Sequence, residues 1–424
     1  MTWRTLEVVK DRNAGLYLGG VIASGFGDSA MSLAAGIWVK TLTGSNGLAA
    51  LVGFCLWLPT FAGPAIGTAA DRVRRRPLLV AANLALAAVA TAPLAVRSAS
   101  DVWLLFAVLT LLGTGMVLTD AAETALMAAA VPRELRGDFN GLVHTALEST
   151  KLLAPLAGAW LFTVSGGPAV AVLDAVSFVL AAIAFRFIRV HEDPSAARET
   201  RPWTTRTAEG ARYLWRHPVL RPLVLTGGTA MALSSLSSTA TFALLDTGLH
   251  RSPAYAGVLT ALQGLGSVVS GLAAGALMRR MPERVFSAAG LSLFALGVLA
   301  RATPWGPAVL GGSLLIGLGL PCALIAAMTA VQRETPGELL GRVAATAGTL
   351  MFAPTGLALL IGTAMVAGLD HRVQLLTAGA LGLAWAAALT LTGRGGRAPG
   401  PDAGPEGDGA AGGVSAPRGS RRGA

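Results

Sequence analysis

Six ionisable side chains stand inside stretches that are otherwise apolar: Asp28, Asp120, Glu123, His144, Glu148 and Lys151. In a lipid-spanning helix such a group costs roughly 2.5–3.5 kcal/mol near the centre, so each needs a reason to be there. A carboxyl that alternates between wet and apolar surroundings can take up a proton on one side of a membrane and release it on the other. Asp28 ranks first for this chemistry, because Gly25, Gly27 and Ser29 around it leave room for a polar cavity. Glu148 ranks second. His144, Glu148 and Lys151 are spaced i, i+4 and i+7 and share one helical face. Lys151 can hold Glu148 ionised as a pair, which would make both structural. Asp120 and Glu123 lie toward the end of their stretch, nearer water, at a smaller cost. Asp174, in the outer third of its stretch, reads as a structural partner.

The elements that must position these groups are transmembrane helices. Hydrophobic residues make up 53% of the chain and charged residues 13%, and mean hydropathy is +0.60. A soluble domain carries about 25% charged residues. A bilayer core takes about 20 apolar residues as helix. Division at charged and Gly/Pro clusters predicts an all-α membrane protein with twelve spans: 14–40, 47–70, 77–96, 102–130, 138–164, 168–189, 219–246, 253–278, 284–302, 306–330, 342–367 and 372–393. Two landmarks recur 204 residues apart. Gly67 to Arg76 is echoed by Gly271 to Arg280, and Pro132-Arg-Glu134-Leu135-Arg-Gly137 by Pro336-Gly-Glu338-Leu339-Leu-Gly341. A parallel internal repeat follows, with a six-helix bundle over 1–190, a linker over 191–218 and a second bundle over 219–393. The tail, 394–424, is built of Gly, Pro, Ala and Arg and is expected to be disordered. Ala208 to Trp215 is expected to form an interfacial helix with Tyr213 and Trp215 at the headgroups.

With both termini and the linker in the cytoplasm, only Lys40, Arg97, Arg251, Arg301 and Arg372 of the 33 basic residues fall in outer loops. The net charge of +10 is then a matter of topology, and no nucleic-acid partner is implied. The first span is too long for a signal-peptide core and is expected to stay attached. Cys55 and Cys322 fall inside spans as small apolar residues, so neither a disulfide nor a metal is implied.

The turn Gly67-x-x-x-Asp71-Arg72-x-x-Arg75-Arg76 resembles the loop signature of the major facilitator superfamily. The resemblance implies an inter-bundle latch of Gly67, Asp71, Arg72 and Arg75. Gly67 would allow close helix contact, and Asp71 would sit against the start of span 11, near 341–345, where a helix dipole favours an anion. Arg74 and Arg76 read as membrane anchors. The second copy carries Gly275 in place of the aspartate, so the latch would exist on one side only. Gly27-Asp28, Leu42-Thr-Gly-Ser45, Pro132-Arg-Glu-Leu135, Asn140-Gly141, Ala154-Pro155-x-x-Gly158, Gln332-x-x-Thr335-Pro336 and Gly341-Arg342-Val343 resemble the drug:proton antiporter group that includes macrolide exporters. The likeness covers residues 10–393. It implies proton-coupled efflux of an amphipathic small molecule by alternating access, with Pro155 and Gly158 marking the antiport helix. It also implies a monomer in the cell membrane, with a small-molecule substrate, protons and the lipid bilayer as partners and no cofactor. The cavity would lie between the halves, lined by spans 1, 2, 4, 5, 7, 8, 10 and 11. Met31, Trp38, Trp57, Met116, Phe242 and Gln263 are the candidate lining residues. The chain departs from better-known exporters in having no arginine between Leu109 and Gly115.

Other function classes are weaker. The three lysines, Lys10, Lys40 and Lys151, do not follow a glycine, so a phosphate-cradling loop is absent and energy must come from a gradient. Gly25-Phe26-Gly27-Asp28 matches the short string of intramembrane aspartyl proteases, whose dyad would need Asp120 or Asp174 beside Asp28. Transport of another small metabolite, or a scaffold or sensor on the same fold, are the remaining alternatives.

Overall fold

A computed structural model describes residues 11–63, 66, 73–130, 136–189 and 203–394. Helix α1, Arg12–Thr43, starts where the Asp11 carboxylate accepts the Ala14 amide and ends at Gly44, whose φ of 68° suits a residue without a Cβ. Ser45 then caps α2, Asn46–Trp57, by accepting the Leu48 amide. This helix tightens into a 3₁₀ turn over Leu58–Ala62, at Pro59. Helices α3, Arg75–Thr91, and α4, Val102–Ala130, follow. Helix α5, Arg136–Phe187, is 52 residues long and broken at Gly166 (φ 76°, ψ 179°). The contacts with α1 show why it counts as two legs. Gly25 and Ala30 of α1 face Leu147 and Gly158 in turn, so the first leg runs with α1. Trp38, Gly27 and Gly20 then face Gly167, Asp174 and Phe185, so the second leg runs back.

The remainder is a short helix α6, Trp203–Arg216, then α7, Leu220–Thr239, α8, Ala256–Met278, α9, Glu283–Arg301, α10, Gly306–Glu334, α11, Gly337–Gly368, and α12, His371–Arg394. No strand occurs among the described residues. Eight of their helices are long and apolar enough to cross a membrane, or nine if Glu209–Arg216 and Leu220–Gly248, bent by 103°, count as one. Twelve spans were expected. The lower figure arises in part because Ser149–Phe187 passes as one stretch despite its two legs, and because Asn46–Ala62 is short. The outside of the molecule is apolar, with Leu272 82%, Trp103 67% and Leu391 65% exposed. That is the reverse of a helix facing water and fits contact with lipid.

Within the first group of helices α1 packs along α5, and α3 along α4 and α5. Within the second, α7 packs on α10, α11 and α12, and α9 on α10 and α12. Between the groups, α5 meets α8 and α2 meets α11. These two cross-pairs exchange under the sequence repeat, which relates α2 to α8 and the first leg of α5 to α11. The approaches are close because one partner is small: Gly257 lies over Pro155 and Ala159, Gly264 over Leu152, and Gly53 over Leu359. The apolar cores are distributed unevenly. One cluster joins both groups, with Met31, Val39, Leu105 and Val170 from the first and Phe242, Leu245, Leu259 and Val309 from the second. Toward the Arg12 end each group has its own core, around Tyr17, Leu126 and Phe185 in one and around Leu220, Ala326 and Met351 in the other. Among the described residues the groups thus share a core at the Lys40 end and have separate cores toward the Arg12 end.

Helix α6 differs from the headgroup helix expected from the linker. It docks on the second group: Leu214 is fully buried, and Tyr213 donates from Oη to the Glu334 carbonyl at 2.8 Å. Glu209 pairs with Arg342, whose carbonyl lies against Gly210. Trp215 alone keeps the expected exposure, with the Arg221 guanidinium 5.1 Å from its ring centre.

Candidate functional site

A cavity of about 840 Å³ lies between the two groups. Its wall takes Asp28, Met31 and Gly36 from α1, Val52 and Trp57 from α2, Leu109, Met116 and Asp120 from α4, and Lys151 and Pro155 from α5. The second group supplies Thr239 from α7, Phe242 just beyond it, Gln263 and Ser267 from α8, and Leu359 from α11. Most of this wall is apolar. Three of its hydroxyls spend their protons on their own helices, Ser238 on the Ser235 carbonyl at 2.8 Å, Thr239 on Leu236 at 2.7 Å and Thr260 on Ala256 at 2.9 Å. What these groups still offer a ligand is acceptor capacity. Two carboxyls, one ammonium and one carboxamide are the strongly polar features of the wall. The chemistry available is therefore hydrophobic enclosure with a few charged or hydrogen-bonding anchors.

The structure gathers most of the residues singled out from the sequence. Asp28, Asp120, Lys151, Met31, Trp57, Met116, Phe242, Gln263 and Pro155 share the one cavity. Glu123 lies one turn along α4 from Asp120, half-buried rather than close to the helix end's water, and close enough to Asp120 and Asp28 to interact electrostatically. Gly158 is not on the wall. A Cβ there would stand 2.6 Å from the Ala30 carbonyl, so its role is the close approach of α5 to α1. Trp38 was expected on the wall and is elsewhere: its indole covers Gly167 and meets Phe162 edge-on at 6.4 Å. Span 10 was also expected to contribute, but α10 supplies none of the described lining; Gly317 and Gly266 hold it behind α8. The side chains of His144 and Glu148 lie outside the described residues, as do Gly67, Asp71 and Arg72 of the latch. Arg75 stands at the start of α3.

Two features escaped the sequence reading. Lys40, counted there as an outer-loop cation, is only 8% exposed. Its Nζ reaches the Asp246 carboxylate at 2.6 Å and the Gly44 carbonyl at 2.7 Å. Asn46 donates to the same Asp246 oxygen at 3.4 Å. This pair joins the end of α1 to the π turn Leu244–Gly248 after α7, and so ties one group to the other above the cavity. A signal existed: the two residues are 206 apart, close to the repeat offset. Arg301, the other misplaced cation, is fully buried and donates to Thr241 Oγ1 at 2.9 Å.

This arrangement, two related helix groups around a closed-ended central cavity, can be compared with known proteins. The sequence profile of the Major Facilitator Superfamily matches residues 17–247 and 223–419. The chain belongs to that superfamily. Macrolide efflux protein A of Streptococcus pyogenes is 24% identical over 348 residues, covering 77% of this chain and 80% of that protein. The protein of the same name from Enterococcus faecalis is 24% identical over 306 residues, 68% of this chain and 91% of that one. A multidrug resistance protein B homolog of Mycobacterium tuberculosis is 32% identical over 145 residues, 30% of this chain and 27% of that protein. Among solved structures, a mutant peptide transporter POT in complex with alafosfalin superposes with a TM-score of 0.69 at 17% identity, over 91% of this chain and 95% of that one. A bacterial homologue of the iron transporter ferroportin, in an inward-facing state, gives 0.66 at 17% identity over 88% and 98%. The superfamily protein is thus a transporter rather than an enzyme, a multi-pass protein of the cell membrane.

Proposed function

We propose that this transporter is a proton-coupled exporter of amphipathic small molecules that works by alternating access. The observation that carries the proposal is the central cavity itself. It is apolar over most of its wall, yet it places Asp28 and Asp120 opposite Gln263 of the other helix group, with Lys151 also on the wall. A ligand with an apolar body and a cationic or hydrogen-bond-donating group would bury the one and pair the other. The relatives named for macrolide efflux and multidrug resistance support an exported drug-like substrate. Taking α1, α2 and each leg of α5 as separate passes gives twelve spans. We place the bundles at 1–190 and 219–393, the linker at 191–218 and the tail at 394–424, with both termini and the linker in the cytoplasm, as the basic residues favour. The protein would act as a monomer. The state described here would then face inward, held shut outside by Lys40 and Asp246. Asp71 is proposed to latch the opposite, outward-facing state.

Asp28 is the proposed proton carrier, because it is the one acid of α1, stands within an otherwise apolar stretch of that helix and lies on the cavity wall. Efflux would be measured in a pump-deficient host against a panel of antibiotics and dyes, then in proteoliposomes with the substrate so found. Wild type should confer resistance. Asp28→Asn should lose proton-driven efflux and keep downhill counterflow. Full proton-driven accumulation by Asp28→Asn would move the role to Glu148 or to Asp120 and Glu123. Resistance to nothing, with no dye efflux, would remove drug export.

A further inference from the structure

We infer that Asp174 forms a two-carboxyl proton site with Asp28, shared between α1 and the return leg of α5, in which Asp174 is the buried member. The inference rests on the reading of Asp28 as proton carrier and extends it to a residue that touches no cavity. Asp174 is 0% exposed, and neither carboxylate oxygen has a hydrogen-bond partner among the described residues. The neighbouring Ser177 hydroxyl gives its proton to the Asp174 backbone carbonyl at 2.7 Å, so it does not serve the carboxyl. The carboxyl lies directly against α1. A Cβ on Gly27 would stand 2.7 Å from Asp174 Oδ1, so only glycine at that position admits it. The next residue along α1 is Asp28, which opens to the cavity. The two carboxyls are near enough to act on one another electrostatically.

An enclosed carboxylate with no donor is poorly tolerated, whereas the neutral acid is tolerated. Two acids that sense each other lose their protons in two steps that belong to the pair. Asp28 faces the site from α1, and Asp120 and Glu123 of α4 reach Asp28 and add only negative charge. Helix α3, which packs on the return leg, has no ionisable residue from Pro77 to Thr91, and the return leg itself has none besides Asp174 before Arg186. Lys151 is the cation on the cavity wall. The step is a simple proton transfer. With Asp28 ionised and the cavity wet, the Asp174 acid passes its proton to the Asp28 carboxylate, which releases it to water; the charge this leaves on Asp174 is costly in its enclosed place, so the state is transient and the pair reloads by the same route in reverse. The cycle then moves one more proton per substrate than Asp28 alone would.

The test compares wild type with Asp174→Asn, reconstituted at full length, by the substrate gradient that just balances an imposed pH gradient. Asparagine copies the shape of the neutral acid but holds no transferable proton. The coupling ratio should fall by one proton, the pH profile of efflux should flatten, and downhill exchange should persist. An unchanged coupling ratio and pH profile would overturn the inference and make Asp174 a neutral packing residue. That outcome is distinct from failure of the underlying reading, which would show as full coupling in Asp28→Asn. Should Asp174→Asn not fold, proton release on substrate addition decides the matter in an otherwise wild-type protein carrying Asp120→Asn and Glu123→Gln. More than one proton released per transporter supports the pair, and one or fewer overturns it.

Discussion

At Lys151 an ammonium shares a cavity with two carboxyls, and its surroundings decide whether it is an anchor or a counter-ion. A lysine that neutralises an acid on its own helix face is structural; one that meets the ligand tunes which charge is accepted. The spacing of Glu148 and Lys151 favours the first role. We therefore expect Glu148→Gln and Lys151→Met to lower transport to a similar extent, with superimposable pH profiles, because each breaks the same pair. Profiles that differ between the two variants would assign Lys151 to the substrate instead. Which single residues stand at the cavity was only partly legible in the sequence. Asp28 could be found because a charge in an apolar span is conspicuous, and Met31, Trp57 and Phe242 because their helices were expected around the cavity. Trp38 could not be placed, because α1 is apolar on all sides and such a helix carries no stripe to say which face turns inward. Asp174 was visible as an acid, but its lack of a hydrogen-bond partner among the described residues became apparent only once α1 and the return leg of α5 were packed together.

Between elements, the decisive contact is the one that closes the Lys40 end. Helix α1 and the turn after α7 occupy equivalent places in the repeat, so their ends approach each other across the pseudo-axis, and a basic residue on one can meet an acidic residue on the other. Lys40 is nearly buried, while the Asp246 side chain is 49% exposed, so solvent screens the pair on one side. A contribution of about 1 kcal/mol is reasonable for such a bridge. Breaking it should shift the balance between the two facing states by about fivefold. Asp246→Asn and Lys40→Met should each lengthen spin-label distances across this end and shorten those across the other. The double variant should do little more than either single one, since both remove the same interaction. Additive effects would mean that the two residues act separately and that the bridge does not gate the cavity. Nothing local in the sequence marks Asp246 as the partner of Lys40; only the 206-residue separation, close to the repeat offset, hinted at this closure. The helices themselves were legible, because long apolar stretches bounded by charge leave few alternatives in lipid. The hairpin of α5 was legible too, from the Gly166-Gly167-Pro168 break.

For the molecule as a whole, the open question with the most physical consequence is which side of the membrane the cavity faces. The apolar cluster shared by both helix groups lies at the Lys40 end, and the separate cores lie at the Arg12 end. The same division orders the charges. The Arg12 end also carries Arg74, Arg75, Arg76, Arg279, Arg280 and Arg333, whereas the Lys40 end carries few basic residues, one of them already paired with Asp246. Retention of basic segments on the cytoplasmic side, the orientation proposed above, would put the mouth of the cavity inside the cell. An exporter in this state would be ready to load from the cytoplasm or the inner leaflet, and the Lys40–Asp246 closure would be its outer seal. Single cysteines report the orientation directly, in a background in which Cys55 and Cys322 are replaced. Ser98 and Ser252 lie in loops at the Lys40 end, and Arg280 lies in the turn between α8 and α9. In intact cells an impermeant maleimide should label Ser98→Cys and Ser252→Cys and spare Arg280→Cys until the membrane is opened. Labelling of Arg280→Cys from outside would invert the molecule. The cavity would then open outward in the state described here, and the Lys40–Asp246 bridge would become a cytoplasmic seal of the outward-facing state.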